Sequence, residues 1–85
     1  MKYNYTPKGI CAKQITMEIE DDVLKNVEFT GGCNGNHQAL ARLVEGMPVQ
    51  QVREKLSGIR CGKKNTSCAD QLVKGIEEAL HEALV

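Results

Sequence analysis

Four cysteines are the residues of this sequence whose type and number point most directly to chemistry. They stand at positions 11, 33, 61 and 68 of a chain of 85 residues. Four thiolates, each about 2.3 Å from one ion, form the closed tetrahedral site of structural zinc. The spacing contains no C-x-x-C pair, so a shared metal site and four separate buried thiols fit it about equally well. We take Cys11, Cys33, Cys61 and Cys68 as candidate metal ligands, with zinc as the expected metal and an iron–sulfur cluster as the alternative.

The cellular compartment bears on what these thiols can do. The first ten residues, MKYNYTPKGI, contain no apolar run and indicate neither a secretory signal nor a membrane span. We expect a cytoplasmic protein, in which metal binding or thiol reactivity is favoured over disulfides. Eleven basic residues balance eleven acidic ones, so no net field attracts nucleic acid. We expect neither a nucleic acid nor a membrane as partner.

An alternating pattern over residues 12–30 predicts an antiparallel hairpin. Pairing Ile15 with Phe29 and Met17 with Val27 keeps both apolar sets on one face, whereas a slip by one residue would bury a carboxylate. This register leaves Asp21, Asp22 and Val23 as a three-residue loop. The stretch KYNY is expected to add a short edge strand.

The same register brings two of the cysteines together. Extended backwards, it places Cys11 opposite Cys33. Directly opposed residues have Cβ atoms about 4.5–5.5 Å apart. Two thiols that are distant in the sequence are therefore predicted to be neighbours.

Helical periodicity follows the hairpin. It predicts helices over about residues 36–45, 48–57 and 67–84, with Asn36 as the N-cap of the first. The apolar positions expected to face the core are Leu40, Leu43 and Val44, then Val49, Val52 and Leu56, then Leu72, Ile76, Leu80 and Leu84. The fold class is α+β: a hairpin-based antiparallel sheet packed against three helices in a single domain over residues 1–85.

Cys68 stands where the last of these helices begins. Thr66 or Ser67 is the expected N-cap, and Asp70 would complete a capping box in which Asp replaces Glu. Cys68 precedes Leu72 by four residues, so it heads the core-facing stripe. The positive end of the helix dipole stabilises a thiolate at this position, the form that binds metal or attacks a disulfide.

Two histidines complete the set of candidate ligands. His37 follows Cys33 by four residues and shares the stripe of Leu40 and Val44. We favour an ordinary role for it, an imidazole hydrogen-bonded to the backbone at a helix start, and keep it as a substitute metal ligand. His81 is expected on the surface near the end of the last helix.

The stretch NTSCADQL resembles the defining motif of the TSCPD domain family. Thr66, Ser67, Cys68 and Asp70 match that motif, and Ala69 replaces its usual proline. The upstream FTGGCNGN and the short length with four cysteines also resemble the family. Such domains occur at the C-terminus of vitamin B12-dependent ribonucleoside-diphosphate reductases and as short free-standing proteins. The resemblance implies a connection with ribonucleotide reduction, although one domain of this size is too small for a complete reductase.

The order of elements is also similar to that of the U-type iron–sulfur cluster scaffold proteins. Cys11, Cys33 and Cys68 fit the positions of the three scaffold cysteines. Lys13 stands where the scaffold has an aspartate, Ser67 where it has a histidine, and a fourth cysteine has no counterpart there. The resemblance implies a scaffold-like fold more strongly than it implies cluster transfer.

Three functions are compatible with these observations. The leading expectation is a cytoplasmic zinc-binding accessory module, with a ribonucleoside-diphosphate reductase as its partner. A second is a dithiol redox carrier for such a reductase, with Cys61 and Cys68 as the pair. A third is a labile iron–sulfur scaffold or carrier. No residue is predicted to be catalytic.

Overall fold

The fold was analysed in a computed structural model that describes residues 1–10, 12–31, 34–60 and 65–84. The elements are β1 (Lys2–Tyr5), β2 (Gln14–Glu20), β3 (Val23–Thr30), α1 (Asn34–Val44), α2 (Val49–Leu56) and α3 (Cys68–Leu84). The strands form an antiparallel sheet in the order β1-β2-β3. The predicted α+β class and the KYNY edge strand are confirmed, and α1 begins before Asn36, the residue predicted to cap it.

The hairpin keeps the predicted register near its open end. Ile15 pairs with Phe29, and the Lys13 amide donates to the Thr30 carbonyl at 2.7 Å. The predicted three-residue loop is wrong, because Val23 pairs with Glu20 and belongs to β3. The turn has two residues at positive φ, 51° at position 21 and 62° at position 22, which is the conformation of a type I′ hairpin turn.

A β-bulge reconciles this shorter turn with the register at the open end. The pairing shifts by one residue after Thr16, so Met17 of β2 stands opposite two residues of β3, Asn26 and Val27. Asn26 takes a positive φ of 51°, and its backbone amide donates to Glu45 Oε1 at 2.8 Å instead of to the ladder. Met17 and Val27 both remain buried, as the predicted common face requires.

The core lies between the sheet and the helices. Its largest fully buried side chains are Ile15, Met17, Leu24, Val44, Val52, Leu72, Val73 and Ile76. The prediction for Leu43 is wrong, since this side chain is 73% exposed. The inward face of α1 instead carries His37, Leu40, Ala41 and Val44, at helical spacing.

Helix α3 packs closely against the sheet at Gly75. A Cβ atom at this position would lie 2.8 Å from Met17 Cε and 3.1 Å from Tyr5 Cβ. A larger residue at this position would therefore force Met17 and Tyr5, on β2 and β1, to shift. None of the helices in the described part of the chain is long and apolar enough to cross a membrane.

Candidate metal centre at the start of α3

Two predicted site residues meet at the first turn of α3. The thiol of Cys68 is half-buried, and its Sγ lies 2.9 Å from Nε2 of His37 on α1. The imidazole was expected to bond to the backbone, and this expectation is wrong for Nε2, whose partner is the thiol. The contact joins residues that are 31 positions apart in the sequence.

The His37 ring is buried and stacks on a residue of the sheet. The residue is 4% exposed, and its ring stacks on Phe29 of β3 with centroids 4.4 Å apart and planes inclined by 17°. Within the described residues, the buried Nδ1 atom has no hydrogen-bond partner. An orphaned imidazole nitrogen of this kind costs free energy, unless a further donor, acceptor or metal satisfies it.

Asp70 and Ser67 shape the helix start around Cys68. Ser67 Oγ accepts a hydrogen bond from the Asp70 amide at 3.1 Å, which caps α3. The Asp70 carboxylate accepts from the Thr66 hydroxyl at 2.5 Å and from the Gly58 amide at 2.8 Å. The Thr66 hydrogen bond, followed by that from Gly58, lowers the pKa of Asp70 below its ordinary value. The carboxylate is thus charged at neutral pH and ties both ends of the segment between Gly58 and Thr66 to α3.

Gln71 makes an equivalent attachment to the N-terminal part of the chain. Its side-chain Oε1 accepts from the Tyr5 hydroxyl at 3.1 Å and from the Lys8 amide at 3.0 Å. Its Nε2 donates to Thr66 Oγ1 at 2.9 Å. Sequence reasoning missed this buried glutamine. The available signal was its position three residues after Cys68, on the inward side of α3.

The other predicted ligands, Cys11, Cys33 and Cys61, lie outside the described residues. Their predicted convergence, including the pairing of Cys11 with Cys33, therefore stays a prediction. Within the described ranges, no group of three or more His, Cys, Asp or Glu side chains is arranged to hold a metal ion. The described part of the candidate centre is the Cys68–His37 pair, together with the hydrogen bonds that Ser67, Asp70 and Gln71 make at the start of α3.

The family model of the TSCPD domain matches residues 1–80. The chain belongs to the TSCPD domain family. In this TSCPD domain, the residues that match the family motif are the cap of α3, the thiol beside His37 and the carboxylate that anchors the preceding segment. No curated protein and no solved structure matches the chain significantly, so the likeness to U-type iron–sulfur scaffolds stays a prediction.

Proposed function

We propose that this TSCPD domain binds one zinc ion at the start of α3 and acts as a metal-binding accessory module. The observation that carries the proposal is the 2.9 Å approach of Cys68 Sγ to His37 Nε2. A thiolate and an imidazole are both ligands that zinc prefers. The thiol also stands at the positive end of a helix of 17 residues, where its deprotonated form is stabilised.

The attachments around this pair support the participation of the other cysteines. Cys11, Cys33 and Cys61 each follow a described residue by three positions, namely Lys8, Thr30 and Gly58. Lys8 is bonded to Gln71, Gly58 is bonded to Asp70, and Thr30 follows Phe29, the residue that stacks on His37. Three residues of extended chain span at most about 11 Å. The participation of these three cysteines, which lie outside the described residues, is part of the proposal.

Zinc at such a site would have a structural role. Four cysteine ligands leave no open position for substrate, and a closed site is typical of structural zinc. Metal binding of this kind contributes about 10–16 kcal/mol of apparent free energy coupled to folding. For Cys68 and His37 to bind the same ion, Sγ and Nε2 would separate to about 3.5 Å, given zinc bonds of about 2.3 and 2.0 Å. With four thiolates bound, His37 would remain a neighbour of the Cys68 sulfur.

The partner in this proposal is a ribonucleoside-diphosphate reductase. Family membership supports it, because TSCPD domains occur at the C-terminus of vitamin B12-dependent reductases as well as in short free-standing proteins. Co-purification of the untagged chain with such a reductase, and loss of the association after zinc removal, would test this part. Association that persists without zinc would show that the chain binds the reductase independently of the metal.

A second candidate function is a dithiol redox carrier that includes Cys68. The contact with His37 favours it, because an imidazole beside a thiol at a helix N-terminus stabilises the attacking thiolate. An iron–sulfur scaffold rests on the order of the cysteines alone.

Metal analysis of untagged protein, purified anaerobically without chelator, distinguishes these functions. We expect about one zinc per chain, retained by His81→Ala and lost by Cys68→Ser. His81 is an exposed residue of α3 and serves as the control. Metal-free protein with titratable thiols would favour the redox carrier, and iron with acid-labile sulfide would favour the cluster scaffold. Either result would reject the zinc proposal.

A further inference from the structure

The proton of the His37 imidazole can be placed from the surroundings of its two ring nitrogens. Nε2 lies 2.9 Å from Cys68 Sγ, whereas the buried Nδ1 has no hydrogen-bond partner among the described residues. A neutral imidazole carries a proton on one of these nitrogens and a lone pair on the other. The position of that proton determines whether His37 donates to the sulfur or accepts from it.

The burial of Nδ1 favours the form in which this nitrogen carries no proton. The residue is 4% exposed. A buried N–H group without an acceptor is rare in folded proteins, whereas an acceptor with an unused lone pair is somewhat more common. A proton on Nδ1 would create such an orphaned donor. A proton on Nε2 is directed at the Cys68 sulfur and leaves Nδ1 with its lone pair only.

The chemistry of the thiol favours the same form. A cysteine S–H group is a weak donor, whereas a hydrogen bond to an ionised acceptor is about twice as strong as one between neutral groups. Cys68 is the first residue of α3, a position that favours the thiolate as acceptor. Phe29 holds the ring in its plane, because the two rings stack with centroids 4.4 Å apart.

A histidine that binds a metal through Nε2 needs the opposite arrangement. Its Nδ1 must then carry the proton, and in metal sites this N–H group almost always donates to a carboxylate, a backbone carbonyl or water. In the part of the chain that the structure describes, no group accepts from Nδ1 of His37. The surroundings of the ring thus suit a donor to sulfur better than they suit a metal ligand.

We infer that His37 is a hydrogen-bond donor to the Cys68 sulfur and lies outside the ligand shell of any metal that the thiolate binds. The donor role follows from the geometry of the metal-free chain, whereas its effect on metal binding rests on the proposed function. Such a donor orients the thiolate and offsets part of its negative charge. Supporting residues outside the ligand shell commonly change metal affinity by about 10–100-fold.

Nuclear magnetic resonance of metal-free protein with isotope-labelled histidine nitrogens tests the donor role. Couplings from the carbon-bound ring protons identify which nitrogen is protonated, and His81→Ala assigns the two histidines. Near neutral pH we expect a proton on Nε2 of His37 that exchanges slowly with water, whereas exposed His81 shows no such proton. The signal should change in Cys68→Ala, which removes the acceptor. A proton on Nδ1, or an Nε2 signal that is unchanged in Cys68→Ala, would overturn the inference.

Two substitutions of His37 distinguish a donor from a ligand in the metal-loaded chain. Glutamine places an amide N–H group near the position of Nε2 but offers no ring nitrogen to a metal, whereas leucine removes the donor. We expect Co²⁺ affinity to stay within about 3-fold of wild type in His37→Gln and to fall about 10-fold or more in His37→Leu. The absorption bands of bound Co²⁺ should be the same in His37→Gln as in wild type, because its ligands are unchanged.

The two measurements separate this inference from the zinc proposal. If the wild-type chain binds no metal, the zinc proposal fails and the resonance experiment alone decides the donor role. If the chain binds metal but His37→Gln loses it or shifts the Co²⁺ bands, His37 is a ligand and the inference fails, while metal binding stands. Equal affinities in wild type, His37→Gln and His37→Leu would reject the effect of the donor on the metal.

Discussion

The residue that most changes the interpretation of this site is His37. Helical spacing with Leu40 and Val44 placed it on the inward face of α1, and the structure buries it there. The sequence could not identify its partner, because the Cys68 thiol lies on another helix and the contact depends on how α1 and α3 pack across the sheet. Leu43 shows the opposite error, since a leucine at the edge of the predicted stripe faces solvent.

The Cys68–His37 pair predicts selective thiol chemistry in the metal-free protein. Cys68 should react with iodoacetamide faster than Cys11 near neutral pH, because the helix start and the imidazole both stabilise its thiolate. Bound zinc should protect it. Peptide mass spectrometry after short exposures measures the rate at each cysteine.

Substitution of each histidine provides the control for this prediction. His37→Ala should slow alkylation of Cys68, whereas the exposed His81→Ala should leave it unchanged. If Cys68 reacts no faster than Cys11, the argument from the helix start is wrong and Cys68 is an ordinary half-buried thiol.

At the scale of elements, the start of α3 was largely predictable and its anchoring was not. The motif identified Thr66, Ser67 and Asp70 as cap residues, and Ser67 does accept from the Asp70 amide. The Asp70 carboxylate, however, holds Gly58 and Thr66, a role that depends on the path of the preceding segment. A helix cap can be predicted from neighbouring residues, whereas the bonds of Asp70 to the preceding segment can be seen only in the tertiary structure.

Asp70 should make stability depend on acid pH. Because its pKa is lowered in the folded protein, its stabilising effect is complete above the ordinary carboxyl value and is lost as the pH falls through the lowered pKa. Asp70→Asn should cost about 1–3 kcal/mol in free energy of unfolding near pH 7. Urea titrations of metal-free protein near pH 7 and near pH 3 measure this difference.

The difference between wild type and Asp70→Asn should shrink as the pH falls through the lowered pKa of Asp70, because the wild-type carboxylate loses its charge there. Ser67→Ala provides the matched control, because it should cost about 0.5–2 kcal/mol with no titration of its own. A constant penalty for Asp70→Asn across the pH range would show that the charge is not what anchors the loop.

The contact between α3 and the sheet gives a second prediction for an element. Gly75→Ala should destabilise the protein by about 1–3 kcal/mol through overpacking against Met17 and Tyr5. This cost exceeds the gain of about 0.5–1 kcal/mol that alanine usually brings to a helix. Thermal or urea unfolding measures the change.

Gly35 in α1 offers the comparison for Gly75. A Cβ atom there would meet nothing within 4 Å, so Gly35→Ala should be neutral or stabilising by about 0.5 kcal/mol. Equal effects at the two glycines would mean that α3 does not pack as closely as described.

At the scale of the whole molecule, the sequence predicted the class of fold better than its details. Alternation and helical periodicity identified the strands and helices, because burial of one face imposes those periods. The bulge at Asn26 and the two-residue turn escaped prediction, since both depend on positive φ angles at residues other than glycine. The proposed metal site depends on long-range convergence, which spacing alone does not determine.

A chain of 85 residues buries only about 60–65% of the surface that its unfolded form exposes, so a metal can contribute much of its stability. If the cysteines act together on one zinc ion, their substitutions should not be additive in the zinc-loaded protein. Cys33→Ser and Cys68→Ser should each cost nearly as much free energy of unfolding as the double substitution, because losing one ligand already loses most of the binding energy. With chelator present, the same substitutions should have small and additive costs, as expected for independent thiols. Denaturation of the wild type, the two single variants and the double variant, each with zinc and with chelator, completes the double-mutant cycle. Additive penalties in the presence of zinc would mean that Cys33 and Cys68 do not share an ion.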